Sequence, residues 1–358
     1  MQKNKHNIGF FMRLASFGGG ERIKNMLMEE YQRIGHQIFI FVYNKSISEE
    51  IDVPHKAVVL PRKSNAIFQL FSDIRNIYNA IKREQIDTMV IFGFMCRYAI
   101  ASKLAKIPSL LSLRVDPKFA KNKILTSIRS KICLSLCIRI VFQTYKIRDR
   151  YSKSVKDKSI VIYNPIIDNL PEPVEKREKK IVAIGRLSGE KNYPLLINSF
   201  AKTDNNEYTL HIYGDGTLRG ELKTLIKRLH LEDKVFLMGK VNRVVEHIKK
   251  AEIFVLSSDY EGMPNALIEA MAMGLSCIST KFPSGAAEEL ITDRENGLLV
   301  NTNDTEAMCY AINTAMKNAE LRNKTMKNAL DIRNKLEKNK IIQEWIKEID
   351  IIHCENNK

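Results

Sequence analysis

Short apolar runs alternate with longer amphipathic stretches along almost the whole chain, and this rhythm limits the fold more than any other feature. Thr88–Phe92 and residues 253–256 are largely apolar without a polar alternation, as strands buried on both faces are. Between such runs lie segments with apolar residues three and four apart, among them Ala66–Arg83 and Tyr193–Ala201, and these predict helices. A β/α rhythm of this kind predicts a doubly wound sheet with helices on both faces.

The rhythm runs twice. The first series places strands at 7–14, 37–43, 57–60, 88–92, 109–113, 138–143 and 159–163, and stops at Asn164-Pro165. Residues 168–180, with Pro171, Pro173 and a run of charges, read as a linker. The second series places strands at 180–184, 208–213, 235–238, 253–256 and 276–279. The remainder reads as mostly helical, ending in 340–352 around the single tryptophan, Trp345. The expected domains are residues 1–167 and 180–339, joined by a linker at 168–179, with a C-terminal helix (340–358) packing back on the first domain. A chain of 358 residues is long enough for two domains. Two doubly wound sheets would leave a cleft between their strand C-terminal ends.

Charge narrows the possible partners. The net charge is +16, and residues 97–158 alone hold 16 Lys and Arg against 3 Asp and Glu. So basic a segment attracts a phosphate-rich partner: an anionic membrane, nucleic acid or a diphosphate-linked substrate. Within it Ile124, Leu125, Ile128, Ile132 and Leu136 recur near helical spacing, with Lys118, Lys121, Lys123, Arg129 and Lys131 at other positions. Such a basic amphipathic helix either packs its apolar side on the sheet or lies on an anionic bilayer, with Lys121, Lys123, Arg129 and Lys131 facing the membrane. No aromatic residues are interleaved with the basic run, which argues against nucleic acid. The six cysteines form no C-x-x-C pair and the seven histidines do not cluster, so no metal site is expected. With no signal peptide and no apolar run of ~18–20 residues, the chain reads as cytoplasmic with reduced thiols.

Two loops carry candidate chemistry. Gly18, Gly19 and Gly20 follow the first strand and open a helix. Backbone there either approaches a diphosphate closely or simply turns; Ile23 replaces the third glycine of a dinucleotide fingerprint. The second loop is Ser257-Ser258-Asp259-Tyr260-Glu261-Gly262, leading through Met263, Pro264, Asn265, Ala266 and Leu267 into a helix expected over 266–273. Backbone amides at such a helix start suit an anion, with Pro264 near the first turn. Glu261 and Glu269 bracket them, and carboxylates beside amides suit the hydroxyls and phosphates of a nucleotide sugar.

Gly185-Arg186-Leu187 through Lys191-Asn192, together with Glu261 and Glu269, resemble the retaining GT-B glycosyltransferases of family 4. Gly18-Gly19-Gly20-Glu21-Arg22, Ile162-Tyr163-Asn164-Pro165, Gly214-Asp215-Gly216 and Asn296-Gly297-Leu298-Leu299-Val300 match in the same order. The resemblance spans Ile8 to about Trp345. It implies an α/β GT-B fold: two doubly wound Rossmann-like domains with a cleft between them, the first on the acceptor side and the second binding the nucleotide sugar. Arg186 and Lys191 look like the clamp on the donor diphosphate, Glu269 like the ribose carboxylate, and Glu261 like the carboxylate at the donor sugar. No cofactor or metal is implied, and no catalytic base, since the leaving phosphate helps to deprotonate the acceptor.

The chain departs from its relatives at Phe92-Gly93-Phe94-Met95-Cys96-Arg97, where many carry a histidine. Ser112-Leu113-Arg114-Val115-Asp116-Pro117 and Phe282-Pro283-Ser284-Gly285 are similar to segments of bacterial galactosyl- and N-acetylgalactosaminyltransferases of surface-polysaccharide assembly, with departures at Leu113 and Val115. Arg114 is expected either near acceptor or sugar, or in a salt bridge to Asp116. The resulting expectation is a hexosyltransferase, peripheral on the inner face of the cytoplasmic membrane. It would move a hexose or N-acetylhexosamine from a UDP-sugar to a polyprenyl-diphosphate-linked oligosaccharide in capsule, lipopolysaccharide or exopolysaccharide biosynthesis. A soluble acceptor, a sugar-nucleotide epimerase of similar fold and a basic nucleic-acid-binding protein are the rivals.

Overall fold

The computed structural model describes residues 5–11, 19–44, 51, 53–61, 66–114, 123–204 and 207–356. Its strands in chain order are β1 (Asn7–Phe11), β2 (Gln37–Val42), β3 (Lys56–Val59), β4 (Thr88–Phe92), β5 (Ser109–Leu113), β6 (Arg139–Phe142) and β7 (Ser159–Val161). They continue as β8 (Glu178–Ile184), β9 (Thr209–Tyr213), β10 (Val235–Gly239), β11 (Ala251–Leu256), β12 (Ser276–Lys281) and β13 (Leu298–Asn301). Two wholly parallel sheets result, ordered β3-β2-β1-β4-β5-β6-β7 and β10-β9-β8-β11-β12-β13. The chain divides into two compact units, Met1–Pro165 with Asn339–Lys358, and Ile166–Lys338.

Each sheet reverses its winding once, at β1/β4 in the first unit and at β8/β11 in the second. Loops leaving the two strands at such a point diverge to opposite faces and open a crevice at the strand C-terminal ends. The apolar run at 253–256 is buried throughout, and so is every residue of β5, its two serines included. One face of the first sheet packs Phe41, Ile91 and Phe142 against Ile81, Tyr98 and Cys133 of the helices Ala66–Arg83, Cys96–Ala105 and Lys123–Leu136. Toward the other, Phe10 tilts against Tyr31, whose hydroxyl donates to the carbonyl of Trp345 at 3.0 Å.

Trp345 belongs to the helix Lys338–Asn356. That helix is also tied down by Arg139, which donates to Glu348 at 2.5 Å, and by a bond between Thr88 and His353. Trp345 and Ile352 are fully buried, so the last helix is part of the core of the first unit.

In the second unit Ile181, Ile212, Ile253 and Val255 pack against Leu196 and Phe200 of the helix Tyr193–Ala201 and Ile312 of the helix Thr305–Lys317. The stretch read as a linker is bound to this unit. Ile166 donates to the Leu336 carbonyl at 3.0 Å, and Arg333 donates to the Pro171 carbonyl and the Glu172 carboxylate, each at 2.8 Å. Proline-containing backbone cannot join a ladder, and an arginine fork takes its place.

Two other expectations change. β13 is a strand where the sequence read as helical; four residues are too few to display a period. In the helix Lys123–Leu136, Ser130, Cys133 and Leu134 face the core, while Ile124, Leu125 and Ile128 are 78%, 41% and 53% exposed. The sheet-facing stripe thus lies one side of the residues that the spacing singled out, and only Ile132 and Leu136 pack partly against the core. Lys121 lies outside the described residues, and Arg129 and Lys131 are exposed.

Candidate functional site

Arg186, Lys191, Glu261 and residues 262–267 lie on the two loops at the reversal point of the second sheet and on the helix start that follows, whereas Gly19 and Gly20 belong to the first unit. β8 runs into Gly185-Arg186-Leu187 and a single 3-10 turn, Gly189–Lys191. β11, its neighbour in the sheet, runs into residues 257–264 and the helix Asn265–Ala272.

Four contacts lace the loops together. Ser257 Oγ donates to the Lys191 carbonyl at 2.8 Å, and the Asp259 amide donates to the Glu190 carbonyl at 2.9 Å. Asn192 Nδ2 donates to Asp259 Oδ1 at 2.8 Å. Lys191 Nζ lies 2.5 Å from Glu261 Oε1, which also accepts from Ser258 Oγ at 2.8 Å. Asn192, at φ 44°, caps the next helix by accepting from the Leu195 amide at 3.2 Å. Asparagine tolerates this left-handed conformation and is a strong cap.

Glycine makes the first loop possible. A Cβ at Gly214 would lie 1.9 Å from the Gly185 carbonyl oxygen, and one at Gly216 would lie 2.4 Å from that of Leu187. The Leu187 amide donates to Asp215, and its carbonyl accepts from Leu218, both at 3.0 Å. Gly214-Asp215-Gly216 is therefore a buttress under the Arg186 loop. Arg186 itself is exposed. Burial alone would raise the carboxyl of Glu190, but the Ser188 hydroxyl at 2.7 Å, its own backbone and the charges of Arg186 and Lys191 hold it below its ordinary range. Burial, with Glu261 and Glu190 nearby, pushes the Tyr193 phenol well up, so it stays neutral.

Pro264 precedes the second helix as its N-cap rather than sitting in the first turn, and no side chain caps that end. Leu267 and Ile268 donate back to the Pro264 carbonyl at 3.1 and 3.2 Å. The helix start therefore presents the positive end of its dipole beside Gly262, Met263, Asn265 and Ala266. Ser284 Oγ donates to the Gly262 carbonyl at 2.9 Å, which gives Phe282-Pro283-Ser284-Gly285 a local job. Glu269, on this helix, is 6% exposed. Among the described residues no group of three or more His, Cys, Asp or Glu could hold a metal ion, and no helix is long and apolar enough to cross a membrane.

The corresponding point of the first unit is β1/β4. Gly19 and Gly20 open the helix Gly19–Arg33, while Gly18 lies outside the described residues. In the stretch lacking the histidine, Arg97 pairs with Asp73 and donates to the Tyr43 hydroxyl at 2.8 Å. Arg114, just past β5, lies over the rings of Phe92 (5.3 Å) and Trp345 (5.6 Å). It donates to Ser112 Oγ at 3.1 Å and to Asn164 Oδ1, and the Gln143 amide, oriented so that both its ends are satisfied, accepts from Arg114 Nη1 at 2.9 Å and donates to the Arg114 carbonyl at 3.1 Å. Asp116, its expected partner, lies outside the described residues. Asn164 of the Asn164-Pro165 motif thus serves Arg114. Nothing in the sequence signals the part played by Trp345. Burial pushes the Arg114 guanidinium down to about 9.

Comparison with known proteins fits this geometry. Residues 168–331 match the family described as glycosyl transferases group 1. Over 196 residues the chain is 36% identical to the N-acetylgalactosamine-N,N'-diacetylbacillosaminyl-diphospho-undecaprenol 4-alpha-N-acetylgalactosaminyltransferase of Campylobacter jejuni; that alignment spans only about half (53%) of either protein. A second enzyme of that organism, the GalNAc-alpha-(1->4)-GalNAc-alpha-(1->3)-diNAcBac-PP-undecaprenol alpha-1,4-N-acetyl-D-galactosaminyltransferase, is 27% identical over 95% of this chain and 97% of its own length. Among solved structures, Anabaena HepE in complex with UDP superposes with a TM-score of 0.83 at 17% identity, covering 96% of this chain and 99% of that one. The second unit is thus a glycosyl transferases group 1 domain, and the chain as a whole has the two-unit GT-B fold.

Proposed function

We propose that the chain is a retaining hexosyl- or N-acetylhexosaminyltransferase that uses a UDP-sugar and a polyprenyl-diphosphate-linked oligosaccharide. The observation that carries the donor half is the joining of Lys191, Glu261 and the helix start at 265 on two laced loops. The acceptor half is supported by the diphospho-undecaprenol substrates in the names of the Campylobacter relatives.

In this reading the donor diphosphate lies against the start of the helix Asn265–Ala272 and Gly262. Lys191 and Arg186 neutralise it as charge develops on the leaving phosphate, the role in which fixed cations contribute most. Glu269 accepts from the ribose hydroxyls and Glu261 from a hydroxyl of the sugar. The bond from the anomeric carbon to the diphosphate breaks, and the acceptor oxygen bonds to the same face of that carbon. The acceptor proton passes to the departing phosphate oxygen, so no protein base is required.

The exposed Ile124, Leu125 and Ile128, with Arg129 and Lys131 beside them, suit shallow insertion into an anionic membrane surface. A lipid-linked acceptor would be met there.

The test is a panel of UDP-Gal, UDP-GalNAc, UDP-Glc, UDP-GlcNAc and GDP-mannose, each with a lipid-linked and a soluble acceptor. UDP release that depends on the lipid-linked acceptor supports the reading. Equal turnover with a soluble sugar replaces that acceptor class. Near-normal transfer by Glu269→Ala removes the ribose assignment.

A further inference from the structure

We propose that Arg114 anchors a phosphate of the acceptor's diphosphate in the first unit. The proposal rests on the diphosphate-linked acceptor reading above and deepens it by naming the residue that takes the phosphate.

Charge balance carries the argument. Two other partly buried arginines of this unit have a carboxylate in contact, Arg97 with Asp73 and Arg139 with Glu348. Among the described residues Arg114 has none; its contacts are a hydroxyl, the amide groups of Asn164 and Gln143 and two aromatic rings. A guanidinium held among neutral groups keeps its charge at a cost that an anionic ligand offsets. Its Nη2 is buried and has no acceptor there, so one corner of the fork is unused.

The arginines that act as staples in the second unit look different. Arg177 donates to the carbonyls of Lys249, Ala251 and Met273, and Arg333 to those of Ala272 and Pro171. Those carbonyls belong to separate segments, which the arginine joins. Arg114 joins no such set of carbonyls, and its plane is instead fixed by Phe92 and Trp345.

Position supports a ligand. Arg114 follows β5, and Phe92 ends β4, a strand of the reversal point. The ammonium of Lys24, only 4% exposed, lies 5.5 Å from the centre of the same Phe92 ring. Two cations therefore approach one aromatic ring at the strand ends, where doubly wound sheets take their ligands. A phosphate offers the oxygens and the charge that a fork and an ammonium recognise together.

The decisive experiment is calorimetric titration of the full chain with inorganic pyrophosphate, farnesyl diphosphate and UDP, comparing wild type, Arg114→Lys and Arg114→Gln. Affinity for farnesyl diphosphate is expected to fall on the order of tenfold in Arg114→Gln, as loss of a charge-assisted bond implies, and less in Arg114→Lys. Affinity for UDP is expected to be unaltered. Farnesyl diphosphate binding wild type and Arg114→Lys equally, or not binding wild type at all, overturns the proposal. A matching loss for UDP also overturns it, because the phosphate would then be the donor's. If Arg114→Gln does not fold, Arg114→Lys decides alone, with a raised KM for the lipid-linked acceptor as its expected signature and an unchanged KM as the refutation. Failure of every sugar donor in the panel would sink the transferase reading while leaving the titration interpretable.

Discussion

The ammonium of Lys191 lies 2.5 Å from a carboxylate oxygen of Glu261, although the two residues come from loops after different strands. In the donor reading proposed above, an arriving diphosphate would compete with Glu261 for the lysine, and a sugar hydroxyl would compete with the lysine for Glu261. The pair holds each group in place without a ligand. Lys191→Met is therefore expected to lower kcat by roughly 100-fold or more, as removal of a fixed charge at a developing anion does. Glu261→Gln keeps the Ser258 contact in part and should lose less. Steady-state kinetics with melting curves for both variants would check this; a destabilised fold with normal turnover would contradict it.

The buttress under the Arg186 loop has a sharp steric signature. Gly214→Ala puts a methyl group into a backbone carbonyl. It is expected to destabilise by about 3 kcal/mol or more, at the upper end of overpacking costs. Gly220, in the helix Arg219–Arg228, has open space around an added Cβ. Gly220→Ala should instead stabilise by up to ~1 kcal/mol. Urea unfolding of the two variants side by side would show opposite shifts.

Acid should loosen the first unit through His353. Its ring stacks on His6 at 3.7 Å, and burial, with further help from His6 and His36, pulls it down to about 4 against the opposing influence of Asp87 and Asp350. The neutral ring is the folded form. Stability is therefore complete above the ordinary value of about 6.5 and is lost as pH falls toward about 4, with a slope of up to ~1.4 kcal/mol per pH unit. Urea midpoints measured from pH 7 to pH 4 should show this slope in the wild type and a shallower one in His353→Phe, which keeps an aromatic ring in the stack.

Vesicle binding should depend on both components of the exposed helix face. Arg129→Glu with Lys131→Glu is expected to weaken binding to anionic vesicles by ~1 kcal/mol or more per residue and to reduce its salt dependence. Ile124→Ser with Ile128→Ser should weaken it while leaving the salt dependence intact. Sedimentation with vesicles at two ionic strengths separates the two effects, and unaltered binding in both double variants would remove the docking surface.

Long periodic segments such as Ala66–Arg83 and buried apolar runs such as Thr88–Phe92 lie where their sequence puts them, because burial on a sheet demands those patterns. Leu298–Asn301 does not announce itself, since its pairing with β12 supplies what its length cannot. The family resemblance brings out Lys191 and Glu261 as residues, but not their contact, which depends on β8 and β11 being neighbours across the reversal point. The helix Lys123–Leu136 shows the limit most plainly: the apolar stripe visible in the sequence is not the stripe that faces the sheet. Arg114 and Trp345 lie too far apart in the chain for any local pattern to join them.

The helix Lys338–Asn356 closes the core of a unit whose other residues all precede Ile166. A ribosome delivers the first sheet, then the whole second unit, and only then Trp345. Until that moment Arg114 lacks one of its two rings and Tyr31 lacks its acceptor. The first unit is thus begun first and finished last. A chain cut before Trp345 could complete its second unit and still be unable to close the core of the first.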